Sequence, residues 1–225
     1  STTKAVKATR GMVMFVDGAI AQAFYSSNSG GMTEHNENVW DMGARKHLRG
    51  KPDGPKAQVP EQFRDGVSED ELDAFLVSPF PSYSLKTPKG SRLYRWKDTA
   101  TPKEARAWLK ENRRDPGPIR DVRILERGFS GRVVTLEVVG DHATIVVERE
   151  LNVRRMFGNL KSGLFLMDIE RHPNGLIKRF SFSGGGFGHG VGMSQSGAIG
   201  MAAKGQGHED ILMHYYSGIV LGRLY

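Results

Sequence analysis

Residues Ser183–Gln195, SGGGFGHGVGMSQ, hold six glycines in thirteen positions, with His189, Ser194 and Gln195 among or just after them. Glycine lets backbone approach a neighbour closely, or holds conformations that other residues reach only at a cost. Each glycine also costs conformational entropy and buries no side chain, so the run suits a binding surface better than a packed core. The common phosphate-binding patterns do not fit. The glycines at 186, 188, 190 and 192 alternate, whereas a dinucleotide fingerprint needs G-x-G-x-x-G, and no Gly-Lys-Ser/Thr follows for a P-loop. The next stretch, SQSGAIGMAAKG, puts Ala198, Ile199, Met201 and Ala202 at helical spacing with Gly205 as a stop. The free amides at the start of that helix, near Ser194 and Gln195, can hold a carboxylate or a sugar oxygen. The alternative is a tight, self-satisfied turn with His189 buried.

The rest of the chain reads as segregated strands and helices. Residues 11–27 predict two strands joined by Asp17-Gly18, a two-residue hairpin signal. Residues 28–48 form a polar loop, and 51–60, KPDGPKAQVP, read as irregular and surface-like. Ser68-Glu69-Asp70-Glu71 is a capping box ahead of Leu72, Phe75 and Leu76, with Pro79 as the stop. Thr101-Pro102-Lys103-Glu104 is a second, leading into Ala105, Trp108 and Leu109, with Trp108 assigned to the core and Asp115-Pro116-Gly117 as the end. Residues 119–149 alternate as an antiparallel meander with Gly140-Asp141 as a turn. A short helix at 150–157, a hairpin turning at Pro173-Asn174-Gly175 and a helix at 209–216 complete the pattern. The expected class is α+β, with antiparallel strands and hairpins, segregated helices and a Gly-rich binding loop.

Two blocks carry a family resemblance. The first is GFGHGVGMSQ at 186–195, continued by SGAIGMAAKG and ILMHYYSG, and the second is AVKATRGMVMFVDGAIAQAFYSSNSGGMTEHNENVW at 5–40. A weaker third is RGFSGRVVTLEVVG at 127–140, followed by NVRRMFGNLKSGLFLMDIE. Together they resemble the stage II sporulation protein D family, which includes the amidase enhancers, over most of the chain outside 49–115. The resemblance implies a single family-like domain over 1–225, the C-terminal part of a larger one, with 49–115 as a variable insertion holding two helices. It implies a peptidoglycan-binding domain located outside the cytoplasm, in the periplasm, cell wall or forespore intermembrane space. Enzymes of the family are lytic transglycosylases acting on glycan strands stripped of stem peptides. Their acid-bearing segment, E-M-P followed by E-A-L-K-A-Q-A-x-A-A-R-T-Y, has no match here, nor has the histidine and two-cysteine zinc site of some members. The acid is therefore expected on an upstream segment or a partner chain. A non-catalytic peptidoglycan-binding or amidase-enhancing module, with a cell-wall amidase as partner, is the alternative, and a structural part of an envelope assembly is a third reading.

Composition agrees with such partners. Apolar content of 38% with 9% aromatic is that of a globular chain, and no apolar run approaches the ~18 residues of a membrane span. A net charge of +7 points to an anionic partner, such as nucleic acid, an anionic membrane surface or cell-wall polymer. The basic residues are scattered without a basic-aromatic motif, which disfavours nucleic acid. Muramyl lactyl carboxylates and teichoic phosphates suit the charge. The chain has no cysteine, and His208 and His214 are not at zinc-pair spacing, so neither a metal nor a cofactor is expected. Ser194 lies outside any G-x-S-x-G elbow.

Lytic glycan cleavage needs a protonated carboxyl near the scissile oxygen. Among the chain's own carboxylates Glu34 is the best placed, in a polar loop that shows no burial to raise its pKa; the plainer reading is a loop cap or ion pair. Tyr25, Ser27, Ser29, Gly30, Gly31, Thr33 and Trp40 on one loop, with His189, Gly190, Ser194 and Gln195 on the other, are the candidate substrate-binding residues. Tyrosine offers a sugar an apolar face with a hydroxyl, and His189 a donor to an N-acetyl carbonyl. The two loops are expected to face each other across one groove.

Overall fold

A computed structural model describes residues 2–78, 80–85, 87 and 90–225. In chain order the elements begin with α1 (Thr2–Ala8), β1 (Met12–Val16), β2 (Ala19–Ile20) and β3 (Tyr25–Ser26). After short 3-10 turns come α2 (Leu72–Val77), α3 (Gly90–Tyr94), β4 (Arg95–Ala100), α4 (Pro102–Glu111), β5 (Ile119–Arg127), β6 (Val133–Gly140) and β7 (Thr144–Glu148). The chain ends with α5 (Glu150–Met156), β8 (Phe165–Arg171), β9 (Ile177–Gly185), β10 (Met193–Ser194), α6 (Gln195–Ala202), α7 (His208–Tyr215) and β11 (Val220–Arg223). This is an α+β fold.

Local chemistry explains the elements that the sequence predicts. Asp17 and Gly18 both take positive φ, 50° and 78°, as a type I′ turn demands, and β1 pairs with β2 across them. Helix α4 has its full capping box: the Thr101 side chain accepts from the Glu104 amide, and the Glu104 carboxylate accepts from the Thr101 amide. Pro102 occupies the first turn, where a missing N–H costs nothing. The Ser68 motif gives less. Glu71 does accept from the Ser68 amide and hydroxyl, but the helix starts only at Leu72, with Glu71 itself at the cap. Pro79 lies outside the described residues. Strands β4 and β11 escape the alternation pattern, because both are short and carry polar or glycine residues at half their positions or more.

Two antiparallel sheets, ordered β4-β9-β8 and β5-β6-β7, enclose the main core with α4 and α5. Phe157 at the end of α5 lies between Phe180 and Phe182 of β9, at ring separations of 5.1 and 4.9 Å. Trp108 is half-buried at its edge. A second cluster packs β1 and β11 against α6 and α7, and a third gathers Met32, Phe63, Leu72 and Phe75 beneath α2. Segment 51–60, expected at the surface, instead buries Asp53 completely and Val59 at 4% exposure. Its backbone enters the interior because Asp53 N–H donates to Gly31 O at 2.9 Å and Asp53 O accepts from the Tyr83 amide. Strand β9 runs directly into the glycine-rich run.

Candidate functional site

The 25–34 segment and the glycine-rich run are hydrogen-bonded to each other along their length. β3 pairs in parallel with β10, Asn28 and Phe187 exchange backbone bonds of 3.2 and 2.9 Å, and the Glu34 amide donates to Gly190 O at 3.0 Å. The Ser29 amide donates to Ser194 Oγ at 3.1 Å, and the Ser196 amide to Ser27 O at 3.0 Å. The groove expected between the two loops is therefore not a gap but a continuous backbone junction. The glycines serve that junction. A Cβ on Gly30 would lie 2.8 Å from Gly186 N, one on Gly192 2.1 Å from Phe24 O, and one on Gly190 2.4 Å from Arg132 Cζ. Glycine here permits interior packing, against the expectation that a packed core would reject such a run.

Arg132 fills the space under the loop with its side chain wholly buried. Its guanidinium donates to Met32 O, Ser130 Oγ and Ser29 O at 3.1, 2.8 and 2.9 Å. The nearby carboxylate Glu34, joined to it through Ser130, is 0% exposed rather than a solvated loop carboxylate, and Glu34 and then Glu150 favour the guanidinium's charge. Glu34 Oε1 accepts from the His35 amide at 2.7 Å and Asn38 Nδ2 at 2.9 Å; Oε2 accepts from the Ser130 amide at 3.1 Å and the Ser130 hydroxyl at 2.5 Å. Arg132 donates to Ser130 Oγ, so the serine proton is left for Glu34. All four neighbours are donors, so both carboxylate oxygens are engaged within the protein, as a loop cap requires.

A second buried network centres on Asp53. Ser29 Oγ donates to Asp53 Oδ2 at 2.5 Å, Ser84 Oγ donates to the same oxygen, and Tyr215 OH donates to Oδ1 at 2.6 Å. Ser84 Oγ lies 2.7 Å from Ser194 Oγ, and Ser194 caps α6 by accepting from the Gly197 amide. Ser29 and Ser194 are each 0% exposed, so both support the loops from beneath. Gly30, Gly31 and Gly190 are buried as well, and Thr33, at 2% exposure, donates to Lys51 O. Sequence reasoning missed Asp53, Ser84, Arg132 and Tyr215. Asp53 and Ser84 lie in stretches that read as loop, Arg132 in the turn just before the apolar strand β6, and Tyr215 in an apolar helix stripe.

His189 is half-buried, with its ring edge against Trp40 at a 4.8 Å centroid separation. Its Nδ1 accepts from the Val191 amide at 3.0 Å. Burial, reinforced by Arg132, pushes its pKa down to about 4 despite a bond to the Tyr25 backbone, so the ring is neutral at neutral pH. The protein's own backbone engages the imidazole that was expected to reach a sugar. Trp40 stacks on Phe24 at 4.4 Å. What remains open to solvent is Tyr25 at 57% exposure, Gln195, half-buried Ser27 and Phe187 at 39%. In the β3–β10 pair Tyr25 lies opposite Met193 and Ser26 opposite Ser194, and Ser27 and Gln195 are the residues that follow each strand. Among the described residues no group of three or more His, Asp or Glu side chains is placed to hold a metal ion, and no helix is long and apolar enough to cross a membrane.

The chain is 26% identical to the amidase enhancer of Bacillus subtilis (strain 168) over 243 aligned positions, covering 98% of this chain and 32% of the relative. It is 26% identical to stage II sporulation protein D of the same organism over 216 positions, covering 96% of this chain and 49% of the relative. An uncharacterized protein of Brachyspira hyodysenteriae (strain ATCC 49526 / WA1) is 45% identical over 219 positions, covering 97% of this chain and 48% of the relative. The chain thus spans between a third and a half of the length of these relatives. The family described as Domain of unknown function (DUF8618) matches residues 34–192, which include Glu34, Arg132 and most of the glycine-rich run. The chain belongs to that family and is stage II sporulation protein D-like.

Proposed function

We propose that this chain is a cell-wall module acting outside the cytoplasm, which binds peptidoglycan glycan strands on its Tyr25 face and assists a cell-wall amidase. The observation that carries the reading is the exposed Tyr25 on β3, paired with β10 and so with the strand that leads into the exposed Gln195, on a scaffold whose Arg132 and Asp53 network are buried. A tyrosine face with neighbouring amide and hydroxyl groups suits a sugar ring and its N-acetyl substituents. The rigid junction beneath limits the ordering cost of binding. The names of two relatives, amidase enhancer and stage II sporulation protein D, support the cell-wall setting, and the +7 charge suits an anionic wall. Strand cleavage, where it occurs, draws its acid from an upstream segment or a partner chain.

Sedimentation with purified glycan strands tests the reading, with Tyr25→Ala and Gln195→Ala beside the parent. Both variants are expected to lose most of the bound fraction while unfolding at the parent's urea midpoint. Binding that survives both substitutions and disappears in moderate salt reduces the interaction to nonspecific charge attraction.

A further inference from the structure

A cavity of about 540 Å³ opens on the chain, lined by Lys51, Lys56, Arg64, Asp65, Tyr83 and His214 among others. None of these belongs to the face that carries Tyr25. We propose that this cavity is a phosphate-binding site, taking a phosphate group carried on a larger molecule.

Three cations, Lys51, Lys56 and Arg64, all from residues 51–64, line it, and among the described residues none of the three is in an ion pair. Arg49, Arg106, Arg120, Arg127, Lys178 and Arg179, by contrast, all have carboxylate partners. A fourth cation, Lys204, stands over the Tyr83 ring at 4.9 Å from its centroid. Asp65 is the one carboxylate on the wall, and Asp53 lies buried behind His214, 3.9 Å from its Nε2.

Lys51 is built in rather than draped on the surface. Its backbone amide donates to Thr33 Oγ1, and its ammonium donates to His214 O at 2.9 Å and Ser217 Oγ at 2.7 Å. Two of its three N–H groups are thereby oriented, which leaves the third for a ligand. Burial pushes the ammonium below its ordinary value, a cost that a bound anion offsets. A planar carboxylate is satisfied by one arginine fork, whereas donors converging from several directions match the oxygens of a tetrahedral phosphate. The volume lies in the range of small-molecule sites and exceeds what a bare phosphate fills, so the group arrives on a larger body.

The test is an NMR titration of the ¹⁵N-labelled chain at constant ionic strength, with chloride exchanged for inorganic phosphate, a glycerol-phosphate polymer or acetate in separate arms. Saturable shifts confined to the amides around Lys51, Tyr83 and His214 are expected with both phosphates. The surface double variant Lys56→Gln/Arg64→Gln, which leaves Lys51 and the fold untouched, is expected to weaken binding by about tenfold, the loss of roughly 1.4 kcal/mol. Lys178→Gln, at a lysine paired with Glu170, is expected to change nothing. Tighter binding of the polymer per phosphate assigns the site to a wall polymer, and tighter binding of the free ion to a small phosphate compound. Acetate binding as tightly as phosphate overturns the assignment. So do shifts that never saturate, or a double variant that binds like the parent.

Discussion

Arg132 is the side chain against which Gly190 packs, and the cost of a methyl group at each glycine follows from what lies against it. At Gly190 a Cβ meets Arg132 Cζ at 2.4 Å, and the backbone sits at φ +80°. The guanidinium is held by three hydrogen bonds and cannot give way, so strain and overpacking add. Gly190→Ala is expected to cost about 2–4 kcal/mol in urea unfolding. Gly18 has nearly the same φ, +78°, but nothing within 4 Å. Gly18→Ala is expected to cost only about 1 kcal/mol. Equal losses would show that backbone conformation alone accounts for the glycines. His189 yields a pH prediction of definite sign. Its folded pKa of about 4 lies below the ordinary 6.5, so the unfolded chain binds the proton more readily. The stability this contributes is complete above pH 6.5 and is lost as pH falls from 6.5 through 4, in all roughly 3 kcal/mol. His35 and His214, also held low chiefly by burial, act in the same direction. Comparing urea midpoints of the parent and His189→Gln between pH 7 and 4 isolates the His189 share, expected as a flatter profile in the variant.

At the scale of elements, the legible parts of the sequence were those whose signal is local. The Asp17-Gly18 hairpin, the α4 capping box and the alternation of β6 and β7 depend on neighbours within about four residues, and each forms as read. Because the α4 cap is exposed and independent of the core networks, Thr101→Ala is expected to cost about 1 kcal/mol, measured by urea unfolding, without altering any binding. The Ser68 motif forms its side-chain bonds but starts its helix late, since Leu72, Phe75 and Leu76 are placed by packing against Met32 and Phe63. Non-local partnerships were not legible. Nothing in the local pattern couples Glu34 to Arg132, almost a hundred residues on, or brings Ser29, Asp53, Ser84, Ser194 and Tyr215 into one network. The glycine run stands out by spacing alone. Spacing shows that backbone must come close to something, but not that the something is the chain's own interior.

For the whole molecule, the disposition of its buried carboxylates bears on catalysis. Glu34, Asp53 and Glu150 are exposed by no more than 1% each. Glu34 and Asp53 receive hydrogen bonds on both oxygens, and Glu150 accepts from the Gly163 amide at 2.8 Å with Arg154 at 3.4 Å. A general acid for glycoside cleavage needs an O–H directed at the scissile oxygen and room for the sugar beside it. None of the three has room for a sugar beside it, and each is already held by the protein's own donors, so residues 1–225 are expected to bind denuded glycan strands and release few 1,6-anhydromuramyl ends, as read by mass spectrometry. Supplying the family's acid-bearing segment, covalently or as a separate chain, is expected to raise that release. Glu34→Gln replaces one acceptor oxygen of a buried four-donor cluster by a donor and is expected to cost about 1–3 kcal/mol, so its first effect is on the unfolding midpoint. The decisive comparison is made at a temperature where the variant remains folded by circular dichroism. If the parent chain alone cuts efficiently and folded Glu34→Gln does not, then Glu34 is the acid and the donor count around it has been misread.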